Sequence, residues 1–216
     1  MSDLFALWPD RHVCDACLPY RDDNHQTGSD AAIGCIDSYS IGGQIDNVLL
    51  DLCSSSDMES DDGADEILRM MKVWNTHHYQ VEQQGDKPMV GMMKRVWKTT
   101  PRESRPINPP RFIDVKGWSK KAKNDRISTV AGQAKMGHWY YLTNIPKKYL
   151  DTLKTTVEEY PASVKRDTLD MMANANSDEI LSRWVPVAIP VVEDKVEREP
   201  PIFVSRYTGL PAIMVH

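Results

Sequence analysis

The chain has 216 residues, of which 41% are hydrophobic and 26% charged, and its formal net charge is −5. That balance excludes a disordered or collagen-like polymer, and no apolar run approaches the ~20 residues a membrane-spanning helix needs. Four cysteines in a chain of this length exclude a dense disulfide framework, so we expect reduced thiols and a cytoplasmic protein.

Taken in chain order, "RHVCDACL" (11–18) reads as a short buried strand and "DAAIGCIDSY" (30–39) as a second. "DNVLLDLCSS" (46–55) is a third, with Gly42 and Gly43 supplying the turn before it. Ile67, Leu68, Met70, Met71 and Trp74 recur at helical spacing, predicting a helix over about 63–76. "HYQVEQQ" (78–84) is a fourth strand, and "KPMVGMMKRVWK" a helix with Pro88 in its first turn. The proline- and arginine-rich "TTPRESRPINPP" (99–110) reads as a loop too polar and interrupted to pack as an element.

"RFIDVK" (111–116) predicts a fifth strand, followed by a basic helix through "SKKAKNDRISTVAGQ". "HWYYLT" (138–143) is strand-like, one arm of a small hairpin. Tyr149, Leu150, Leu153, Val157 and Tyr160 then line one face of a helix, and another begins after Pro161 and runs through "VKRDTLDMMANA". This order predicts an α/β fold, a mixed central sheet flanked by helices. We divide the chain into a lead-in (1–10), a main domain (11–176) and a proline-broken accessory tail (177–216).

Charge is unevenly spread. From Lys94 to Arg126 there are eleven Lys/Arg and three Asp/Glu, a local balance of +8 that would draw a polyanion despite the negative total. Acids concentrate in "DMESDDGADE" (57–66), which reads as a solvated loop and helix start.

Cys14 and Cys17 form a C-x-x-C pair, but on a strand residues three apart point to opposite faces and cannot grip one ion. A zinc site would also need a tight turn between them and a second ligand pair. Asp15 is the more informative residue, because an acid within an apolar strand is costly unless paired, exposed or metal-bound. A lone aspartate at a strand end reads as an edge residue accepting backbone hydrogen bonds. The anomaly recurs, however, at Glu82 near the end of the fourth strand, and at Asp167 and Asp170, three apart on an otherwise apolar helix. Converging carboxylates repel unless a divalent cation neutralises them. Mg²⁺ or Mn²⁺ suits such an oxygen donor set, and two ions can activate water and stabilise a leaving oxygen in phosphodiester cleavage.

Over residues 10–176 the chain resembles the nuclease domain of the large terminase subunit of tailed bacteriophages, an RNase H-like fold. "VCDACLP" resembles that family's first-strand "vDpA" element, "GSDAAIGCID" its second strand with an early acid, here Asp30, and "QVEQQGD" its glutamate-bearing strand end. "KNDRI" resembles the family's "K-x-x-R-I", "GHWYYL" the following strand, and "EEYPASVKRDTLDMM" its closing segment, where the family's Asp-Asp pair is Arg166-Asp167.

The resemblance implies a metal-dependent endonuclease that cuts concatemeric double-stranded viral DNA during genome packaging in the host cytoplasm. Asp15, Glu82 and Asp167 would be the catalytic acids holding two Mg²⁺ or Mn²⁺ ions, with Asp30 and Asp170 as further metal candidates. Lys120, Lys121, Lys123 and Arg126 would contact DNA, or form a solvated basic helix face. Implied partners are the terminase ATPase domain or subunit, the portal and the small terminase subunit. The sequence has no G-x-x-x-x-G-K-[ST] run, so we expect no ATP site in this chain. Alternatives are another RNase H-like nuclease, such as a junction resolvase, or a non-catalytic DNA-binding or motor-docking module.

Overall fold

Runs of strand-forming residues and the Gly42-Gly43 turn favour an antiparallel meander at the start of the chain. In the computed structural model, which describes residues 12–16, 31–41, 44–56, 58–76, 78–82, 87–115, 120–163, 166–176, 188–189 and 212–214, this meander is β1 (His12–Ala16), β2 (Ala31–Ile41) and β3 (Gln44–Ser55). Both pairings are antiparallel. The remaining elements follow as α1 (Ser60–Val73), β4 (His78–Glu82), α2 (Lys87–Thr99), β5 (Arg111–Val115), α3 (Lys120–Lys135), β6 (Trp139–Leu142), α4 (Lys147–Glu159) and α5 (Asp167–Ala175). Two short strands, β7 (Ala188–Ile189) and β8 (Ala212–Met214), come from the tail.

All eight strands join one mixed sheet in the order β5-β4-β1-β2-β3-β6-β8, with β7 on β2. Connection chirality sets which face each crossover helix covers. β4 and β5 add outward from β1, each parallel to its neighbour, and right-handed crossovers place α1 and α2 on one face. The next crossover runs back across the sheet to set β6 parallel to β3, so its helix α3 falls on the other face. The expected hairpin is therefore corrected: β6 is a sheet strand, and its antiparallel neighbour β8 arrives some seventy residues later.

The core divides accordingly. Ile33, Cys35, Val48 and Leu50 pack with Ile67, Met71 and Trp74 of α1 and Met93 of α2. On the other face Ala32, Ile36, Leu49 and Leu52 meet Ile127 and Val130 of α3, Leu153 and Val157 of α4, and Leu169 and Met172 of α5. Gly34 belongs to this second face. A Cβ there would come within 2.7 Å of Met171 Cε and 2.8 Å of its Sδ, so the missing side chain lets α5 lie close on β2.

One bulge matters locally. The register shifts between Cys35, opposite Asp51, and Ile36, opposite Leu49. Asp51 thereby stays on the α1 side, where it accepts from Arg69 at 2.8 Å and from Trp74 Nε1 at 3.1 Å.

The 100–110 segment forms no helix or strand, as its composition predicts, yet it packs. Lys72 donates to the Glu103 carbonyl, Trp97 Nε1 to the Pro106 carbonyl at 3.2 Å, and Arg105 to the carbonyls of Trp97 and Lys98 at 2.6 and 3.3 Å. Arg105 also lies over the Trp97 ring, 4.0 Å from its centroid. The loop is tied to the end of α2, whose exposed carbonyls attract a cation.

Candidate active site

Helix α5 begins later than the expected start after Pro161. Ser163 and Arg166 stay outside it, and Asp167 becomes its first residue. This changes the electrostatic meaning of Asp167 and Asp170: both occupy the first turn, where the unpaired N–H groups and the helix dipole favour negative charge. Arg166, just before the helix, turns back on the preceding loop. It donates to the carbonyls of Ser163 and Pro161 at 2.8 and 2.9 Å.

Both aspartates are buried, Asp167 to 7% and Asp170 to 3% exposure. A buried carboxylate needs compensation, and for Asp170 it comes from α3. Lys123 Nζ lies 2.5 Å from its Oδ2 and Arg126 3.8 Å from its Oδ1, while Arg126 also donates to Asn174 Oδ1 at 3.0 Å. Two cations three apart on α3 thus face two polar residues four apart on α5. Of the predicted DNA-binding residues, Lys123 and Arg126 are committed to this contact. Lys120 and Lys121 open α3 beside them in the chain, and their side chains are outside the described residues.

The other predicted acids are positioned by backbone. β1 and β4 run parallel with His12 opposite His78 and Val13 opposite Tyr79, so Asp15 and Glu82 both fall near the C-terminal ends of adjacent strands. α5 packs on β1 and β2, and so on the same part of the sheet. The register separates their rows, however. Cys14 is paired with Gly34, which faces α5, whereas Asp15 is paired with Ile33 of the α1-side core. In β4, Tyr79 belongs to that same core, which puts His78, Gln80 and Glu82 in the row on the α5 side. The fold therefore brings Glu82 and the α5 acids to one side of the sheet, and Asp15 to the neighbouring strand end in the alternate row. Asp30 lies outside the described residues.

Two residues that the sequence reading passed over belong here. Asn174 completes the Arg126 contact, and Gln80 is buried to 2% exposure with neither amide atom hydrogen-bonded among the described residues. An orphaned buried amide is costly and uncommon in a native core. The signal for Gln80 was present in the strict polar-apolar alternation of "HYQVE".

Among the described residues, no three His, Cys, Asp or Glu side chains gather closely enough to hold a metal ion. Asp167 is a buried oxygen donor of the type Mg²⁺ or Mn²⁺ prefers, and Gln80 adds an unsatisfied amide oxygen in the Glu82 row. Asp170, already faced by Lys123 and Arg126, fits a counter-ion better than a metal ligand. Cys35 and Cys53 are free thiols, while Cys17 and the side chain of Cys14 lie outside the described residues.

No protein-family model matches the chain, and no curated protein matches it. Among the described residues no helix is long and apolar enough to cross a membrane.

Proposed function

We propose that the protein is a metal-dependent DNA endonuclease with an RNase H-like sheet, acting on concatemeric double-stranded viral DNA during packaging. The observation carrying this reading is a pair of buried carboxylates, Asp167 and Asp170, in the first turn of a helix packed on β1 and β2. The sheet supports it as well: an antiparallel meander extended by two parallel strands beyond β1, with Asp15 and Glu82 at neighbouring strand ends.

In this reading Glu82, Asp167 and Asp15 hold the metal. Bound Mg²⁺ or Mn²⁺ supplies the charge that activates water and stabilises the leaving oxygen of a phosphodiester. Lys123 and Arg126 pair with Asp170 and hold α3 against α5, which positions Asp167 over the sheet. Its packaging partners would be the terminase ATPase, the portal and the small terminase subunit.

Plasmid nicking in Mn²⁺ tests the assignment. Asp167→Asn should lower the rate at least ~100-fold, as loss of a metal ligand does, without a matching loss of stability. Undiminished cutting by that variant sinks the proposal.

The register of Asp15 favours a second reading, a non-catalytic DNA-binding module in which Asp15 is merely an acid near a strand end. Calorimetric titration with Mn²⁺ separates the two: saturable binding abolished by Asp167→Asn supports the nuclease, and no binding supports the module.

A further inference from the structure

The cations flanking the 100–110 loop have no role in the acid site. Between Lys94 and Arg111 stand six basic residues, Lys94, Arg95, Lys98, Arg102, Arg105 and Arg111, and one acid, Glu103. Their surroundings leave most of that charge uncancelled. Among the described residues Arg95 alone of the six meets a carboxylate, Asp61, at 3.1 Å. Arg105 and the nearby Lys72 donate to neutral carbonyls, and Lys94 lies over the Phe112 ring. Lys98, Arg102 and Arg111 are exposed and form no salt bridge among the described residues.

Topology gives this patch a direction. The loop leads into β5, the last strand on its side of the sheet, with Arg111 as the first residue of that strand. A cleft of about 300 Å³, lined by Asn75, Arg102, Arg105 and Ile107 among others, opens beside the loop where β4 and β5 begin. At the other end of β5 the chain turns into α3, whose first residues are Lys120 and Lys121. Cations thus bracket one edge strand, and five residues at ~3.3 Å each span about 16 Å. Duplex DNA carries one negative charge per ~1.7 Å of axis, so that length matches about ten phosphates.

We propose that the β5 edge, anchored by the pinned 100–110 loop, is a backbone-phosphate track that holds duplex DNA away from the acid site and leads it towards α3. The choice of DNA rests on the nuclease reading; the charge complementarity does not. The loop is suited to the task because Arg105 within it and Lys72 beside it are held by carbonyls, which fix their positions without neutralising them. Exposed Ile107, 90% accessible, sits in the same wall without a protein partner to cover it.

Fluorescence anisotropy of a labelled ~20-base-pair duplex in EDTA, across a NaCl series, tests the track without cleavage. Each phosphate contact contributes about −0.9 to the slope of log K against log salt. Lys98→Ala/Arg102→Ala/Arg111→Ala should therefore flatten the slope by about 2 to 3 and weaken binding at least tenfold near ~100 mM salt. The charge-matched control Lys147→Ala/Lys148→Ala/Lys154→Ala, on α4, should stay within about twofold of wild type. Arg102→Glu, a single exposed change, supplies the same comparison should the triple variant fold poorly. The track is overturned by a wild-type protein that does not bind duplex, by variants equal to wild type, or by a control that loses as much. Asp167→Asn keeps the two readings apart: it should bind normally and not cut, and if it cuts normally the nuclease reading fails while the track stands.

Discussion

At the acid site Lys123 and Arg126 meet a carboxylate, whereas beside the 100–110 loop Lys72 and Arg105 donate to main-chain carbonyls. The two regions use the same residue types to opposite ends. An ion pair consumes the charge of its cation and stores it as packing between α3 and α5. A carbonyl contact orders the side chain and leaves its field intact for something outside the protein. The +8 balance of residues 94–126 therefore divides into a structural share and a share available to a polyanion, a division that counting charges could not make.

The comparison breaks most sharply at Asp170. Asp170→Ala strands Arg126 and Lys123 against a buried helix and should lower the unfolding free energy by about 2–4 kcal/mol, the reduced figure reflecting partial exposure of Lys123. Urea unfolding measures it, and a loss under about 0.5 kcal/mol would show that the contact is not a fold determinant. Gly34→Ala acts on the same helix from below. The added methyl forces Met171 aside at an expected cost of about 1–2 kcal/mol, read from the same unfolding curves, with the 100–110 end unaffected.

At the carbonyl-pinned end the effects should be smaller and local. Arg105→Ala removes two hydrogen bonds and a stacked ring contact, for about 1 kcal/mol, and limited proteolysis should cut within 100–110 faster than in wild type. An unchanged cleavage rate would mean that the remaining ties suffice.

The smallest effect concerns an uncharged pair that serves as a reference. Cys53 Sγ lies 3.5 Å from the Tyr149 hydroxyl. That hydrogen bond, with burial, pushes Tyr149 up to about 12, and burial raises Cys53. Both groups hold their protons more tightly when folded. Their contribution is complete below the unfolded values and is lost as pH rises through the folded ones, a window from about pH 9 to 12. Tyr149→Phe should flatten that alkaline limb while leaving stability near pH 7 almost unchanged. A limb identical to wild type would remove Tyr149 from the account.

Much of the fold was legible because it rests on local periodicity. The alternation in "HYQVE" and the spacing of Ile67, Met70, Met71 and Trp74 place β4 and α1 within a few residues. What the sequence could not show depends on distant partners. "WYYL" reads equally as a hairpin arm or a sheet strand, since pairing is decided by residues elsewhere in the chain. The start of α5 is not legible because "SVKR" carries no break signal; Arg166 bonding to Ser163 and Pro161 holds it outside the helix.

The site was legible to the same limit. Asp167 and Asp170 could be placed on one helix face, and Lys123 and Arg126 on another at matching spacing. That these faces meet is a tertiary fact. The alternation that set Asp15 apart from Cys14 was also readable from the strand. Which of the two rows lies under α5 became clear only from the pairing of Cys14 with Gly34.

The late strand β8 has a further consequence for the buried aromatics of β6. Tyr140, Tyr141 and Leu142 pair with Met214, Ile213 and Ala212, which closes what would be an open row of backbone donors and acceptors beside a hydrophobic stretch. An uncovered edge of that composition is a template for self-association. Three residues from the far end of the sequence thus act as a guard, sparing the sheet from recruiting a second molecule at its β6 margin.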